Sequence, residues 1–175
     1  MIIKPLKIGD LVANIPIIQG GMGVGVSLSN LAGNVAKHGA IGVVSAAHPG
    51  YLEEDFEKNT LAANIRGLTK HIKRAKEISS NGIIGVNVMV AMNNYIEHVK
   101  TAIEAGADLI ISGAGLPLNL PEITKGSSIK IAPIVSSSKA ARIVLTYWKK
   151  HFNRTADAVI VEGPMAGGHI GIKKD

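Results

Sequence analysis

Short apolar runs alternate with longer amphipathic segments along the whole chain. Each run is rich in Ile and Val and nearly free of polar side chains, which is typical of strands buried on both faces. The runs lie at 15–19, 40–45, 82–88, 107–112, 129–135 and 156–161. The pattern therefore predicts six strands inside a parallel sheet.

The segments between the runs repeat their apolar residues at helical spacing. They cover 27–39, 61–79, 93–106 and 138–151. In the first helix, Ser27 or Ser29 is expected to cap the N-terminus and Gly39 to end the helix. The polar stretch 48–59 lacks this spacing and predicts a long loop after the second strand.

Strand–helix alternation indicates right-handed βαβ units and an α/β fold with a parallel sheet. An open doubly wound sheet and a (β/α)8 TIM barrel both fit. Three similar stretches, "KHGAIGVV", "EAGADLII" and "RTADAVIV", each lead into a strand, and this repetition favours the barrel. A complete barrel has eight strands in ~250 residues. About six βα units in 175 residues predict an incomplete barrel.

Composition narrows the class of protein. Hydrophobic residues make up 46% and aromatic residues 3% of the chain, so we expect a globular core of Ile, Val, Leu and Ala. There is no cysteine, no signal-like N-terminus and no apolar run of the ~20 residues that a membrane span needs, and we expect a cytoplasmic protein without membrane contact. The net charge of +6 falls on helix-like stretches without interleaved aromatics, so nucleic-acid binding is not expected.

Glycine clusters follow three of the predicted strands. They are "QGGMGVG" at 19–25, "SGAGLP" at 112–117 and "EGPMAGGHIG" at 162–171. In a barrel, function lies at the carboxyl ends of the strands, and glycine there allows the backbone to approach a ligand closely. The first cluster matches G-x-G-x-x-G only in part, and no acidic residue ends the second strand, so a tight turn explains it as well as dinucleotide binding does.

Three polar residues near these clusters are candidate site residues. His169, among glycines, suits a general base or a hydrogen-bond donor at neutral pH, although a lone histidine is often structural. Glu162 either caps its glycine loop or accepts a hydrogen bond from a ligand. Asn87 either forms a turn or pairs with the edge of a heteroaromatic ring.

The remaining candidates are assigned to structure. The other histidines are expected at the surface: His38, His48, His71, His98 and His151. Residues 136–138, all serine, are expected to cap a helix. Without cysteine, HxH or HExxH, no metal site is predicted.

Taken together, these stretches resemble the nitronate monooxygenase family, formerly called 2-nitropropane dioxygenases, and its bacterial branch in particular. The stretches that carry the resemblance are "PIIQGGMGVGVS", "GVNVMVA", "EAGADLIISGAGLPLNLP", "IAPIVSSSKAA" and "DAVIVEGPMAGGHIG". They cover nearly the whole chain in the family's order. Flavin-dependent enoyl-acyl-carrier-protein reductases share the scaffold and the ending "GGHIG".

The resemblance implies an FMN-dependent TIM-barrel oxidoreductase that oxidises nitronates or nitroalkanes with molecular oxygen. It implies that Gly20, Gly21 and Met22 line the flavin and that Asn87 bonds the isoalloxazine or ribityl region. Further flavin contacts are implied for Glu162, Gly167 and Gly168. His169 matches the family's active-site histidine and would deprotonate a nitroalkane carbon or hold the nitronate oxygens.

The chain departs from the family in its extent. The later strands, with the turns that bind the FMN phosphate, have no counterpart within residues 1–175. We therefore expect one FMN-binding barrel domain without its phosphate-binding portion. Two alternatives stay open: an FMN-dependent NAD(P)H reductase of enoyl thioesters or quinones, and an inactive half-barrel that a second copy or another chain completes.

Overall fold

The protein is represented by a computed structural model that describes residues 4–80 and 82–167. Its strands are β1 (Leu6–Ile8), β2 (Leu11–Ala13), β3 (Gly42–Ser45), β4 (Ile84–Met89), β5 (Leu109–Gly113), β6 (Lys130–Val135) and β7 (Ile160–Val161). Its helices are α1 (Ser29–Lys37), α2 (Thr60–Ser79), α3 (Tyr95–Glu104), α4 (Leu120–Ile123) and α5 (Ser138–Phe152).

Five strands form one parallel sheet in the order β3-β4-β5-β6-β7. Neighbours in sequence are neighbours in space, without the reversal of strand order that marks a doubly wound sheet. The fold is therefore α/β, with a curved sheet that forms part of a (β/α)8 barrel, and the expectation of an incomplete barrel is confirmed.

The first predicted strand, 15–19, is reduced to a single parallel bridge between Ile18 and Ile41. The amide of Gln19 donates to the Ile41 carbonyl at 3.0 Å, and the amide of Ile41 donates to the Ile17 carbonyl at 2.9 Å. Between them, the Ile17 amide donates to the Ile15 carbonyl at 2.8 Å instead of to the neighbouring strand, and glycines begin at Gly20. The pairing is thus short, but it places residues 20–25 at the carboxyl edge of the sheet.

The two faces of the sheet bury different clusters. Alternate residues on the outer face, such as Val44, Val86 and Ile110, pack under the helices together with Leu68 and the fully buried Trp148. The inner face buries a second cluster that includes Val43, Leu109, Ile111 and Ala132. Burial on both faces explains why the strands read as uninterrupted apolar runs.

A hairpin of β1 and β2, absent from the expected elements, covers the amino-terminal end of the inner face. Ile8 and Ala13 pack into the inner cluster, while Lys130, the first residue of β6, forms an ion pair with Asp10. Ile8 pairs with Leu11, so the turn has two residues, and Gly9 adopts φ +61°. A glycine-led two-residue turn between alternating residues is a hairpin signal that the sequence does contain.

Two aspartates play the same structural role in the similar stretches that lead into β5 and β7. Asp108 accepts a hydrogen bond from the Ile84 amide at 2.7 Å and forms an ion pair with Lys76. Asp157 accepts from the Ile131 amide at 2.8 Å and pairs with Arg154. Each carboxylate fixes the beginning of the preceding strand, which gives the repetition in the sequence a physical reason.

We expect Asp108→Ala to lower the free energy of unfolding by about 1–3 kcal/mol, because the Ile84 amide and Lys76 both lose a charged partner. Asp108→Asn should cost less, since an amide oxygen can still accept from Ile84. Urea titration measures both. Glu57→Ala, which removes an exposed carboxylate, is the control and should leave the midpoint unchanged. Equal midpoints for Asp108→Ala and the wild type would contradict this role.

Several predictions about helices and histidines need correction. Neither Ser27 nor Ser29 caps α1, whose N-cap is Leu28 without a side-chain bond. Gly39 does follow the end of α1, at φ +88°, and Ser137 does cap α5 by accepting from the Ala140 amide.

His98 is buried, with 2% of its surface exposed, because it lies on the inner face of α3 beside Val99 and Ala102. His71 is half-buried, and burial lowers its pKa. The remaining three, His38, His48 and His151, are exposed as expected.

Candidate functional site

A cavity of about 990 Å³ lies at the carboxyl ends of the parallel strands. Its walls come from the loops after the Ile18 bridge and after each of the five strands. The lining residues are Gly20–Val24, Ser45, Ala47, His48, Asn87, Met89, Met92, Ala114–Leu116, Ile134–Ser137, Ala140, Glu162 and Gly167. The volume falls in the range of ~300–1,000 Å³ that is usual for small-molecule sites.

The glycine loop 20–25 is held in place by two buried or half-buried polar side chains. The Gln19 side chain donates to the Val43 carbonyl and accepts from the Val43 amide, both at 3.1 Å. Ser27, fully buried, donates to the Gly20 carbonyl and accepts from the Met22 amide, both at 2.9 Å. The hydroxyl expected to cap α1 is thus used to shape this loop.

Gly21 lies directly against Asn87 of β4. A Cβ added at Gly21 would overlap the Cβ of Asn87, and it would lie 3.0 Å from its Cγ and 3.3 Å from Cγ1 of Val43. Only a residue without a side chain lets the loop cross the inner face this closely. The backbone of the loop and the amide of Asn87 therefore form one continuous part of the cavity wall.

Asn87 of β4 brings a side-chain amide to the cavity wall. Asn87 pairs with Ser45 of β3 on one side and with Ile111 of β5 on the other. Within the described residues, its side chain makes no hydrogen bond, whereas the Ser45 hydroxyl accepts from the Ala47 amide at 3.2 Å. Asn87 consequently retains both a donor and an acceptor for a ligand.

The loop after β5 forms a second glycine wall. Ala114 and Gly115 adopt φ +51° and +135°, and the indole of Trp148 fixes the loop by donating to the Pro117 carbonyl at 2.9 Å. Met89 and Met92 line the cavity near this wall. Thioether side chains are adaptable and pack well against the faces of flat rings.

The third glycine cluster follows β7. The Glu162 amide donates to the Val135 carbonyl at 2.9 Å, which brings Glu162 to the cavity. Gly167 also lines the cavity. Gly168 and His169, the other predicted site residues of this cluster, lie outside the described residues.

The structure thus places six of the predicted site residues on one cavity: Gly20, Gly21, Met22, Asn87, Glu162 and Gly167. It also adds residues that the sequence analysis did not assign to the site, among them Ser45, His48 and Met89. Ser45 and Met89 could have been found from their positions at strand ends. Each lies two residues after an inner-face residue, Val43 or Asn87, and therefore on the same face of the sheet. His48 lies in a polar loop, where the sequence pattern contains no signal for a site.

Within the described ranges, the chain has neither a cluster of metal ligands nor a membrane-spanning helix. No three His, Asp or Glu side chains within 4–80 and 82–167 converge in a way that could hold a metal ion. In the same part of the chain, every helix is too short or too polar to cross a membrane.

The fold and the cavity define an α/β-barrel protein with a candidate ligand site at the carboxyl ends of its strands. The family model for nitronate monooxygenase matches residues 4–175. The chain therefore belongs to the nitronate monooxygenase family, a family of oxidoreductases, and the resemblance is confirmed. A comparison with curated proteins finds no match.

Solved structures similar to this chain include FabK from Thermotoga maritima, with a TM-score of 0.70 and 29% identity, over 90% of this chain and 43% of that one. The M276A mutant of the same FabK matches with a TM-score of 0.68 and 29% identity, over 90% of this chain and 45% of that one. The chain spans less than half the length of these structures.

Proposed function

We propose that this chain forms the ring-facing part of an FMN-dependent oxidoreductase site that oxidises nitronates or nitroalkanes with oxygen. The observation that carries the proposal is the cavity itself, because it gathers Gly20, Gly21, Met22, Asn87, Glu162 and Gly167 from three separate stretches. The family membership supports the reaction class. The proposal treats residues 1–175 as one barrel domain and assigns no residues to the FMN phosphate.

The cavity fits a flavin ring in shape and chemistry. Two glycine walls leave flat backbone surfaces where a side chain would intrude, most clearly at Gly21. Met22, Met89 and Met92 offer apolar contact. The free amide of Asn87 can bond the polar edge of a ring, which needs donors and acceptors together.

Bound FMN would supply the redox chemistry, and the chain would bind and orient it. Asn87 would hold the ring edge, and the backbone at 20–22 would exclude water from one face. His169, two positions after the cavity residue Gly167, would take the proton from the carbon that bears the nitro group. Holding the nitronate oxygens is the other role that the imidazole could fill.

A second candidate function is a nicotinamide-dependent reduction of an enoyl thioester or a quinone. It is favoured by the similarity to FabK at 29% identity, since flavin-dependent enoyl-acyl-carrier-protein reductases share this scaffold. The same cavity would serve both reactions. The two functions differ in the electron donor, which is the nitronate in one and the nicotinamide in the other.

We expect the full chain to bind FMN and to consume oxygen when a nitronate is added. Oxygen-electrode traces with and without ethylnitronate measure this activity. Anaerobic mixing with NADH or NADPH is the control, and it should leave the yellow flavin band unchanged over the same time. Rapid bleaching of the band by either nicotinamide, without nitronate-dependent oxygen uptake, would replace the first function by the second.

An inactive half-barrel, completed by a second copy or by another chain, is the third hypothesis, and it predicts that the monomer does not carry flavin. Size-exclusion chromatography with absorbance detection would then show protein without flavin, or flavin only in an oligomer or in a complex with a second chain. A monomer that carries one FMN would exclude this reading.

A further inference from the structure

His48 lies three residues beyond the end of β3, where it lines the cavity while its side chain remains exposed. Its ring packs edge-on against Phe56, with 5.6 Å between ring centroids and 83° between the planes. Within the described residues, neither ring nitrogen of His48 makes a hydrogen bond. The contact with Phe56 therefore orients the imidazole and leaves its polar atoms available.

The other histidines of the described chain are engaged elsewhere. His38 and His98 each bond a backbone carbonyl one turn earlier, at 2.8 and 2.7 Å. His71 bonds the Ser29 hydroxyl at 3.1 Å, and His151 stacks on Tyr147. Among the histidines that the structure describes, His48 alone combines a place on the cavity with an unoccupied ring.

The backbone at His48 is fixed in a conformation that side chains rarely adopt. Its φ is +52°, a region that costs of order 1 kcal/mol or more for a residue other than glycine and persists only where the surroundings enforce it. The Gly50 amide donates to the buried Asn64 side chain of α2 at 3.1 Å. A Cβ on Gly67 would lie 2.6 Å from the Pro49 carbonyl oxygen, so the turn is packed directly onto the helix.

The glycine loop opposite contains a second residue of this kind. Val24 is β-branched and adopts φ +42°, and it also lines the cavity. Its amide donates to the Ala47 carbonyl at 3.2 Å, which joins the two loops next to His48. Two residues with positive φ thus lie at the rim of one cavity, in loops that are hydrogen-bonded to each other beside His48, and strained backbone of this kind clusters at ligand-binding sites.

We propose that His48 is a substrate-binding residue that donates a hydrogen bond to an oxygen of the nitronate group. The inference rests on the proposed function, and it separates two tasks: proton removal from carbon would belong to His169, and recognition of the oxygens to His48. An imidazole can donate to an anionic oxygen at neutral pH, and such charge-assisted bonds are among the strong ones. The rigid turn keeps the donor in place before the substrate arrives.

The test uses the full chain loaded with FMN and titrated anaerobically with ethylnitronate, followed by the change in the flavin absorbance band. His48→Asn is the main variant, because asparagine tolerates positive φ and so preserves the turn. We expect the nitronate Kd to rise about tenfold, while the FMN Kd stays within about twofold of the wild-type value. His151→Asn, at an exposed histidine remote from the cavity, is the matched control and should change neither constant.

A second measurement does not depend on any variant folding. Ethylnitronate added to the FMN-loaded wild type should shift the ring resonances of His48 in a histidine-selective NMR spectrum and leave those of His151 in place. Wild-type protein that binds no FMN would overturn the proposed function, and this inference with it. Normal FMN binding with an unchanged nitronate Kd in His48→Asn, or loss of affinity for an enoyl thioester only, would overturn the role of His48 alone.

Discussion

Gly21→Ala is expected to weaken FMN binding by about tenfold or more. The added methyl group would overlap the Cβ of Asn87 and would also crowd Val43 at 3.3 Å. Either the glycine loop lifts or β4 shifts, because neither neighbour is the flexible end of a long side chain. Both adjustments displace a cavity wall, and overpacking of this kind costs ~1–3 kcal/mol even without a ligand.

Titration of the full chain with FMN, followed by quenching of the flavin fluorescence, measures this effect. Gly163→Ala is the matched control, since a Cβ there meets nothing within 4 Å and Gly163 does not line the cavity. A thermal unfolding curve for each variant separates lost affinity from lost folding. If Gly21→Ala folds and binds FMN as tightly as the wild type, the glycine loop does not form the flavin wall.

The strands were predictable because burial on both faces is recorded locally in the sequence. A strand such as β5, which is buried at every residue from Leu109 to Gly113, consists mostly of apolar side chains whatever its neighbours are, so 107–112 could be assigned without the rest of the chain. Two apolar runs pair over much less than their length, since β7 covers only Ile160–Val161 of the predicted strand 156–161, and 15–19 is the clearer case. At 15–19 the composition is equally apolar, yet only Ile18 forms a bridge with a neighbour, because the Ile17 amide donates to the Ile15 carbonyl at 2.8 Å instead of to the next strand.

Where the local sequence pattern predicted the wrong role for a side chain, contacts between distant segments determined its place. Ser27 carries the signature of a helix cap, but the Gly20 carbonyl and the Met22 amide compete for its hydroxyl. The helical phase places His98 inside, although its type and the polar residues near it favour the surface. In both cases a tertiary partner overrides a local preference.

In the candidate site, too, some residues could be predicted from local patterns and others depend on contacts between distant segments. Asn87, Glu162 and the glycine clusters were found because a parallel fold brings strand ends together, and strand ends can be counted. His48 could not be found in this way. Its place depends on the excursion 46–59 folding back over the glycine loop, through the Val24–Ala47 bond and the packing of Gly50 against α2, and no periodicity encodes such a path.

His169→Ala is expected to lower turnover of a neutral nitroalkane by about 10²-fold or more while FMN stays bound, if His169 is the general base. The choice of substrate makes the test specific. A nitronate prepared in advance has already lost the proton, so its oxidation should fall far less than that of the neutral compound. Parallel kcat and KM values for nitroethane and ethylnitronate measure the difference, and His151→Ala, at an exposed histidine outside the cavity, is the control.

The outcomes separate the two roles that the sequence left open for His169. A large loss confined to the neutral nitroalkane identifies the base, because the only step that the two substrates do not share is removal of the proton from carbon. Equal losses for both substrates would instead assign His169 to the nitronate oxygens and would make His48 redundant in that role. Unchanged turnover with both would remove His169 from the mechanism and leave the base to be sought among other residues.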